Sequence, residues 1–197
     1  MYQGNNPTAL RSKEWLAESL IKLMGGKKYD AITIKDIYMG ADLSRQTFYN
    51  LFDGKEDVLR YYLSTLYLPV LRRMERQETP TFEDVTEQLA CVLEENKRFI
   101  SVMVENHLES IIVEGTNQVV DSLSDRLFHL KTDTPAALYK RALVSGGIVN
   151  AVLYWIRDGM PITAEELNKM IQDYLSRIYA VSPQTTPNPW NDFLGGS

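Results

Sequence analysis

Six of the seven residues from 44 to 50 end in hydrogen-bonding groups, and none of the six is acidic: Ser44, Arg45, Gln46, Thr47, Tyr49 and Asn50. Such a set suits the edges and phosphates of double-stranded DNA. An arginine can donate two bonds to guanine, a glutamine can pair with adenine or reach a phosphate, and the Thr47 methyl can meet a thymine methyl. Tyr49 and Asn50 can donate to phosphates, contacts that fix register rather than sequence. Thr33 and Lys55 stand at predicted helix starts, where free backbone N–H groups attract a phosphate.

These side chains need a rigid mount, and the flanking residues supply one. Ile34, Ile37, Ala41, Leu43, Phe48 and Phe52 have the spacing of a core shared by two short helices, with a tight turn at residues 40–43. That is the pattern of a helix-turn-helix over residues 33–52. Thr33 with Asp36 three residues on forms a capping-box pair, and Ser44 caps the next helix. A helix from Pro7, with Asn6 as its N-cap, precedes them and stops at Gly25-Gly26.

Helical periodicity continues nearly to the end. After Asp53-Gly54 a connecting helix opens at Lys55. Thr79-Pro80-Thr81 marks a boundary. Further helices are predicted from Phe82, over 97–107 and over 110–131, then from Pro135 to about Asp158. A last one follows the Thr163–Glu166 capping box. The chain is therefore predicted all-α, with about nine helices. Residues 1–54 form a DNA-binding domain, 55–79 a connecting helix, 80–182 a helical regulatory and dimerisation domain, and 183–197 a flexible tail.

Bulk properties fit this division. Of the 197 residues, 44% are hydrophobic and 24% charged, as in ordinary globular proteins. The net charge of −5 is unevenly spread. Residues 1–79 carry 12 Lys+Arg against 10 Asp+Glu, whereas residues 80–197 carry 9 against 16. The first part tolerates a phosphate surface and the second is repelled by one. A single cysteine, Cys91, forms no intramolecular disulfide, and with two histidines it leaves no pattern for structural zinc. Nucleophile, phosphate-loop and metal motifs are lacking, so neither an enzyme nor a cofactor is expected. Residues 1–7 do not read as a signal peptide, and the apolar stretch 142–156 is too short for a membrane span. A cytoplasmic location follows as the expectation.

In the second part, Met103, His107, Leu108, Tyr139, Leu143 and Trp155 are candidates to line a ligand cavity, or else ordinary core. Gly146-Gly147 inside an apolar helix costs about 2 kcal/mol relative to two alanines. That cost implies a close helix approach, within the subunit or across a dimer. The last helix carries Leu167, Met170, Ile171 and Tyr174 on one stripe, which suits an interface or a single-chain core.

The pattern Ile34, Ile37, Ala41, Leu43, Ser44, Arg45, Thr47, Phe48, Tyr49, Phe52, Lys55, Glu56 and Asp57 resembles the DNA-binding domain of the TetR (tetracycline-repressor-like) family. The preceding helix, with Lys28-Tyr29-Asp30 and Ile32-Thr33, extends the likeness over about residues 10–63. A second likeness, to one C-terminal class of that family, rests on Gly147-Ile148, Trp155, Asp158-Gly159-Met160 and Glu165-Glu166-Leu167. The resemblance implies a homodimer paired through its last two helices and a cavity for a small hydrophobic effector. It also implies DNA contacts at Arg45, Gln46, Thr47, Tyr49, Asn50 and Lys55. Two positions depart from the family pattern: Tyr38 stands where a small residue is usual, and Asp42 replaces the turn glycine. The expectation is a homodimeric repressor released from a palindromic operator by a small ligand. The alternative is a regulator that recruits a partner and takes no ligand.

Overall fold

The computed structural model describes residues 6–128 and 135–179, so the predicted tail at 183–197 lies outside the described residues. Among the described residues there are eight α-helices and no strand: α1 Pro7–Met24, α2 Ile34–Gly40, α3 Arg45–Leu51, α4 Lys55–Arg76, α5 Phe82–Glu105, α6 Glu109–Phe128, α7 Pro135–Arg157 and α8 Ala164–Tyr179. A 3₁₀ turn, Tyr29–Ala31, joins α1 to α2. No described helix is long and apolar enough to cross a membrane.

The helix starts follow from side-chain caps. Asn6 Oδ1 accepts from the Thr8 N–H at 3.0 Å, with Pro7 in the first turn. Thr33 and Asp36 satisfy one another's backbone N–H groups, as do Thr81 with Asp84 and Thr163 with Glu166. Each pair removes two of the unsatisfied donors at a helix start. The Asp36 carboxyl is held down to about 2, chiefly by the Thr33 backbone N–H and then by the Lys27 ammonium.

One expected break is absent. The segments predicted as two helices, from Phe82 and over 97–107, form the single helix α5. The polar run between them bonds back onto its own helix: Asn96 Nδ2 donates to Val92 O, Ser101 Oγ to Lys97 O, and Lys97 pairs with Glu94. With no glycine or proline in the run, a change of polarity does not end a helix.

α1 packs on α2 and α4, α4 on α5 and α6, α6 on α7, and α8 on α5. One continuous set of buried side chains runs from Leu16, Ile37, Phe48 and Phe52 through Leu59 to Phe99, Met103, Ile111 and Trp155. Met74, Val85, Val119 and Leu123 form a separate, smaller cluster. α1 and α2 approach so closely that a Cβ on Gly40 would lie 2.4 Å from Ser19 Oγ. That hydroxyl is itself fixed by donating to Ile37 O at 2.8 Å.

Asp42, in the α2–α3 turn, has φ of 53°. A left-handed conformation is strained for any residue with a Cβ, and aspartate only lessens the cost. Asp42→Gly is expected to raise stability by about 0.5–1 kcal/mol after allowing for the greater freedom of the unfolded chain. Thermal unfolding checks this as a higher midpoint; an unchanged or lower midpoint would show that the aspartate is not strained there.

Candidate nucleic-acid interface and regulatory cavity

α3 is held by its apolar side and leaves the other side open. Phe48, Leu51 and Phe52 are buried, while Ile34, Ala41 and Leu43 pack partly buried against the same core. Tyr38 is half-buried and joins that packing, which is how a large ring is accommodated on α2. The Leu43 N–H donates to Tyr38 O at 2.8 Å and closes the turn.

The opposite side of α3 presents Arg45, Gln46, Tyr49 and Asn50 to solvent. The Arg45 guanidinium lies 5.6 Å from the Tyr49 ring centroid, so the two share one patch. Ser44 Oγ caps α3 by accepting from the Thr47 N–H at 3.0 Å, and the Ser44 and Thr47 hydroxyls are bonded at 2.8 Å. Those two residues sit at the edge of the patch and spend part of their hydrogen bonding on the helix itself. Thr33 is exposed at the start of α2 and is likewise a cap.

Lys55 is placed differently from the expectation. Its ammonium turns inward, donating to Tyr29 O at 2.7 Å and Ile32 O at 3.1 Å, and lies 4.0 Å from the Tyr29 ring centroid. The Tyr29 and Ile32 carbonyls flank the 3₁₀ turn, and their partial negative charge draws the ammonium there. Its side chain is therefore not among the groups grouped on the α3 face.

A cavity of about 80 Å³ opens between α4, α5, α6, α7 and α8. Its walls are mostly apolar, including Leu93, Ile100, Ile112, Val149 and Val152, with Tyr67, Thr86, Thr116 and Asn168 as polar members. Among the described residues, no charged one lines it. Burial pushes the Tyr67 phenol up, against a hydrogen bond with Thr116 that pulls it down, so at neutral pH Tyr67 stays protonated. A Cβ on Gly115 would lie 3.0 Å from the Tyr67 ring, so the glycine makes room for it beside α6.

The sequence-predicted cavity residues are elsewhere. Met103 is fully buried core and Leu108 is buried beside it. His107 is exposed in the α5–α6 corner with φ of 59°. Trp155 is buried and donates from Nε1 to Ile162 O at 2.8 Å, bracing the α7–α8 turn. Tyr139 and Leu143 face solvent. Met103, Leu108 and Trp155 thus fall under the alternative of ordinary core, while Tyr139 and Leu143 miss the cavity through the rotation of α7, which is apolar on most sides, so that periodicity alone does not tell its inner face from its outer. Ile148, Val149 and Val152 are the α7 residues that reach the cavity. Thr86 and Thr116, polar residues inside apolar stripes, are the sequence signal that could have pointed to it.

That outer face is itself informative. Leu143 is 76% exposed, Tyr154 72% and Tyr174 66%, with Tyr139 and Met170 equally open. A Cβ on Gly146 or Gly147 would meet no atom within 4 Å, so the chain's own packing does not require either glycine. Leu167 and Ile171, expected on the same interface, turn inward and line the cavity instead. α8 thus has two apolar sides, one on the core and one, through Met170 and Tyr174, uncovered.

Residues 80–177, about half of the chain, match the family model of a transcriptional regulator C-terminal region (TetR_C_8). The fold is similar to that of the dihydroxyacetone kinase operon activator DhaS, with a TM-score of 0.62 and 18% identity over 86% of this chain and 97% of that one. It is also similar to that of a TetR transcriptional regulator from Streptococcus agalactiae 2603V, with a TM-score of 0.61 and 19% identity over 85% of this chain and 95% of that one. No curated protein matches the sequence.

Proposed function

The chain belongs to the TetR family of transcriptional regulators, and we propose that it acts as a homodimeric repressor of a near-palindromic operator, released by a small apolar ligand. The observation that carries this reading is the acid-free polar side of α3, anchored on its other side by Phe48 and Phe52. Arg45 and Gln46 read base edges. Tyr49, Asn50, Ser44, Thr47 and Thr33 set register on the phosphates. Residues 1–54 are the DNA-binding part, α4 is the connection, and the helices after residue 80 hold the cavity and pair the two copies through the exposed side of α7 and α8. A ligand in the cavity favours a spacing of the two α3 helices that no longer fits the operator.

The ligand class follows from the walls. An uncharged, largely apolar molecule suits them, since no charged side chain among the described residues lines the cavity. A second reading, in which the protein recruits a partner and needs no ligand, is favoured by the cavity's small volume of about 80 Å³. A similar fold serves in a protein named as an operon activator.

Selection of bound duplexes from a random pool, followed by fluorescence anisotropy at several salt concentrations, tests the reading. An inverted repeat with half-sites about one helical turn apart, or a multiple, is the expected product. Enrichment of no sequence would overturn it. On that operator Arg45→Ala is expected to cost about 1–3 kcal/mol and to relax the preference at one position per half-site. Tyr49→Phe should weaken all sequences alike. If Arg45→Ala changed neither affinity nor preference, the reading face would lie elsewhere.

A further inference from the structure

We propose that Asn106 and Lys55 are positioning residues for operator recognition: one through a backbone N–H and the other through backbone carbonyls, they lock the 3₁₀ turn Tyr29–Ala31 and so set the angle of α2 and α3 against the regulatory helices. The proposal rests on the operator-binding reading above.

The geometry is a three-way junction. Asn106 ends α5, and its Oδ1 accepts from the Tyr29 backbone N–H at 2.9 Å across 77 residues of sequence. Its Nδ2 donates to Val102 O at 2.8 Å, which fixes the side chain in the accepting orientation. Lys55, the first residue of α4, holds the carbonyls of the turn, Tyr29 O and Ile32 O. The Tyr29 ring is buried, with the Lys55 ammonium 4.0 Å from its centroid. Ile32 leads directly into Thr33, the cap of α2, so whatever places the turn places the start of the helix-turn-helix.

The same α5 that ends in Asn106 forms a wall of the cavity at Leu93 and Ile100. A displacement of α5 therefore reaches the Tyr29 backbone through a hydrogen bond, not only through soft apolar packing. Hydrogen bonds are directional and weaken steeply when bent, so this contact transmits angle as well as distance. A lysine suits the second contact because its compact ammonium can satisfy two carbonyls and a ring face at once. With its ammonium so engaged, Lys55 makes no phosphate contact.

The test uses full-length wild type, Asn106→Ala and Lys55→Met on the selected operator and on copies whose half-site spacing is changed by one or two base pairs. Wild type is expected to discriminate strongly between spacings. Both variants are expected to lose about tenfold of that discrimination, within the usual range of coupling between sites. Their affinity for a single half-site should be unchanged. Lys55→Met should keep the wild-type slope of log affinity against log salt, because a lost phosphate contact would lower it by about 1. Full spacing discrimination in Asn106→Ala would overturn the proposal while leaving operator binding intact. A lowered salt slope in Lys55→Met would make Lys55 a phosphate contact and overturn it equally. Wild type without spacing preference would remove the dimeric operator reading and this proposal with it. Asn106→Ala removes no core side chain, so it keeps the test decisive if Lys55→Met fails to fold.

Discussion

Leu143→Glu is expected to turn a dimer into a monomer and to reduce operator affinity to that of a single half-site. Leu143 belongs to none of the buried clusters of its own chain, so the substitution leaves the subunit's fold intact. Tyr139 and Tyr154 on the same helix and Met170 and Tyr174 on α8 are exposed as well, and clustered exposed apolar side chains of this kind mark interaction surfaces. In a two-fold dimer the same patch meets itself, so one substitution places two carboxylates in one interface. Burying unpaired charge in this way costs about 3–5 kcal/mol, or roughly two to four orders of magnitude in the dimerisation constant. Sedimentation velocity across a concentration series reads the change directly, and circular dichroism checks the fold. A variant that stayed dimeric at wild-type concentrations would place the interface away from α7 and α8. Loss of the dimer with unchanged operator affinity would instead show that the two α3 helices do not bind as a pair.

What could be read from the sequence was local, and what could not be read was orientation. Asn6, Thr33, Ser44 and Thr163 announce helix starts because a cap acts within three residues of itself, and each caps as expected. The core of the helix-turn-helix was legible for the same reason: Ile37, Phe48 and Phe52 lie close in sequence and their spacing admits one packing. α5 was misread as two helices because its polar middle looks like an exit to solvent, although nothing in it ends a helix. α7 defeated the periodicity argument altogether. Its apolar residues serve three surroundings (core, cavity wall and open surface), and composition does not distinguish them. Lys55 shows a further limit. Its position at a helix start is visible in the sequence, but the carbonyls of Tyr29 and Ile32 that capture its ammonium come together only in the fold.

Phe52→Ala is expected to abolish operator binding while leaving the dimer contact in place. Phe52 ends α3, with its N–H donating to Phe48 O at 2.9 Å, and its side chain is fully buried where α3 meets α1 and α4. The ring lies 6.0 Å from that of Phe48 and 5.7 Å from that of Tyr61, both in tilted contact. The Lys13 ammonium lies 5.7 Å from the Phe52 ring and 5.5 Å from the Tyr61 ring. Truncation removes this whole set of contacts and leaves a void that α3, pinned by Phe48 and Leu51, cannot close without tilting. Such a change costs about 3–5 kcal/mol, against a total of about 5–15 kcal/mol for a domain. The loss falls on the short helix that carries Arg45 and Gln46, so the side chains proposed to read DNA lose their fixed geometry before the rest unfolds. Urea unfolding followed by far-UV circular dichroism measures the cost, and anisotropy on the operator measures the functional loss. Phe52→Leu retains most of the volume and is expected to cost less than about 1.5 kcal/mol and to keep operator binding. If Phe52→Ala were destabilised by the full amount yet bound the operator as wild type does, the packing of α3 would not be what presents the DNA-reading face, and that role would have to be sought on another element.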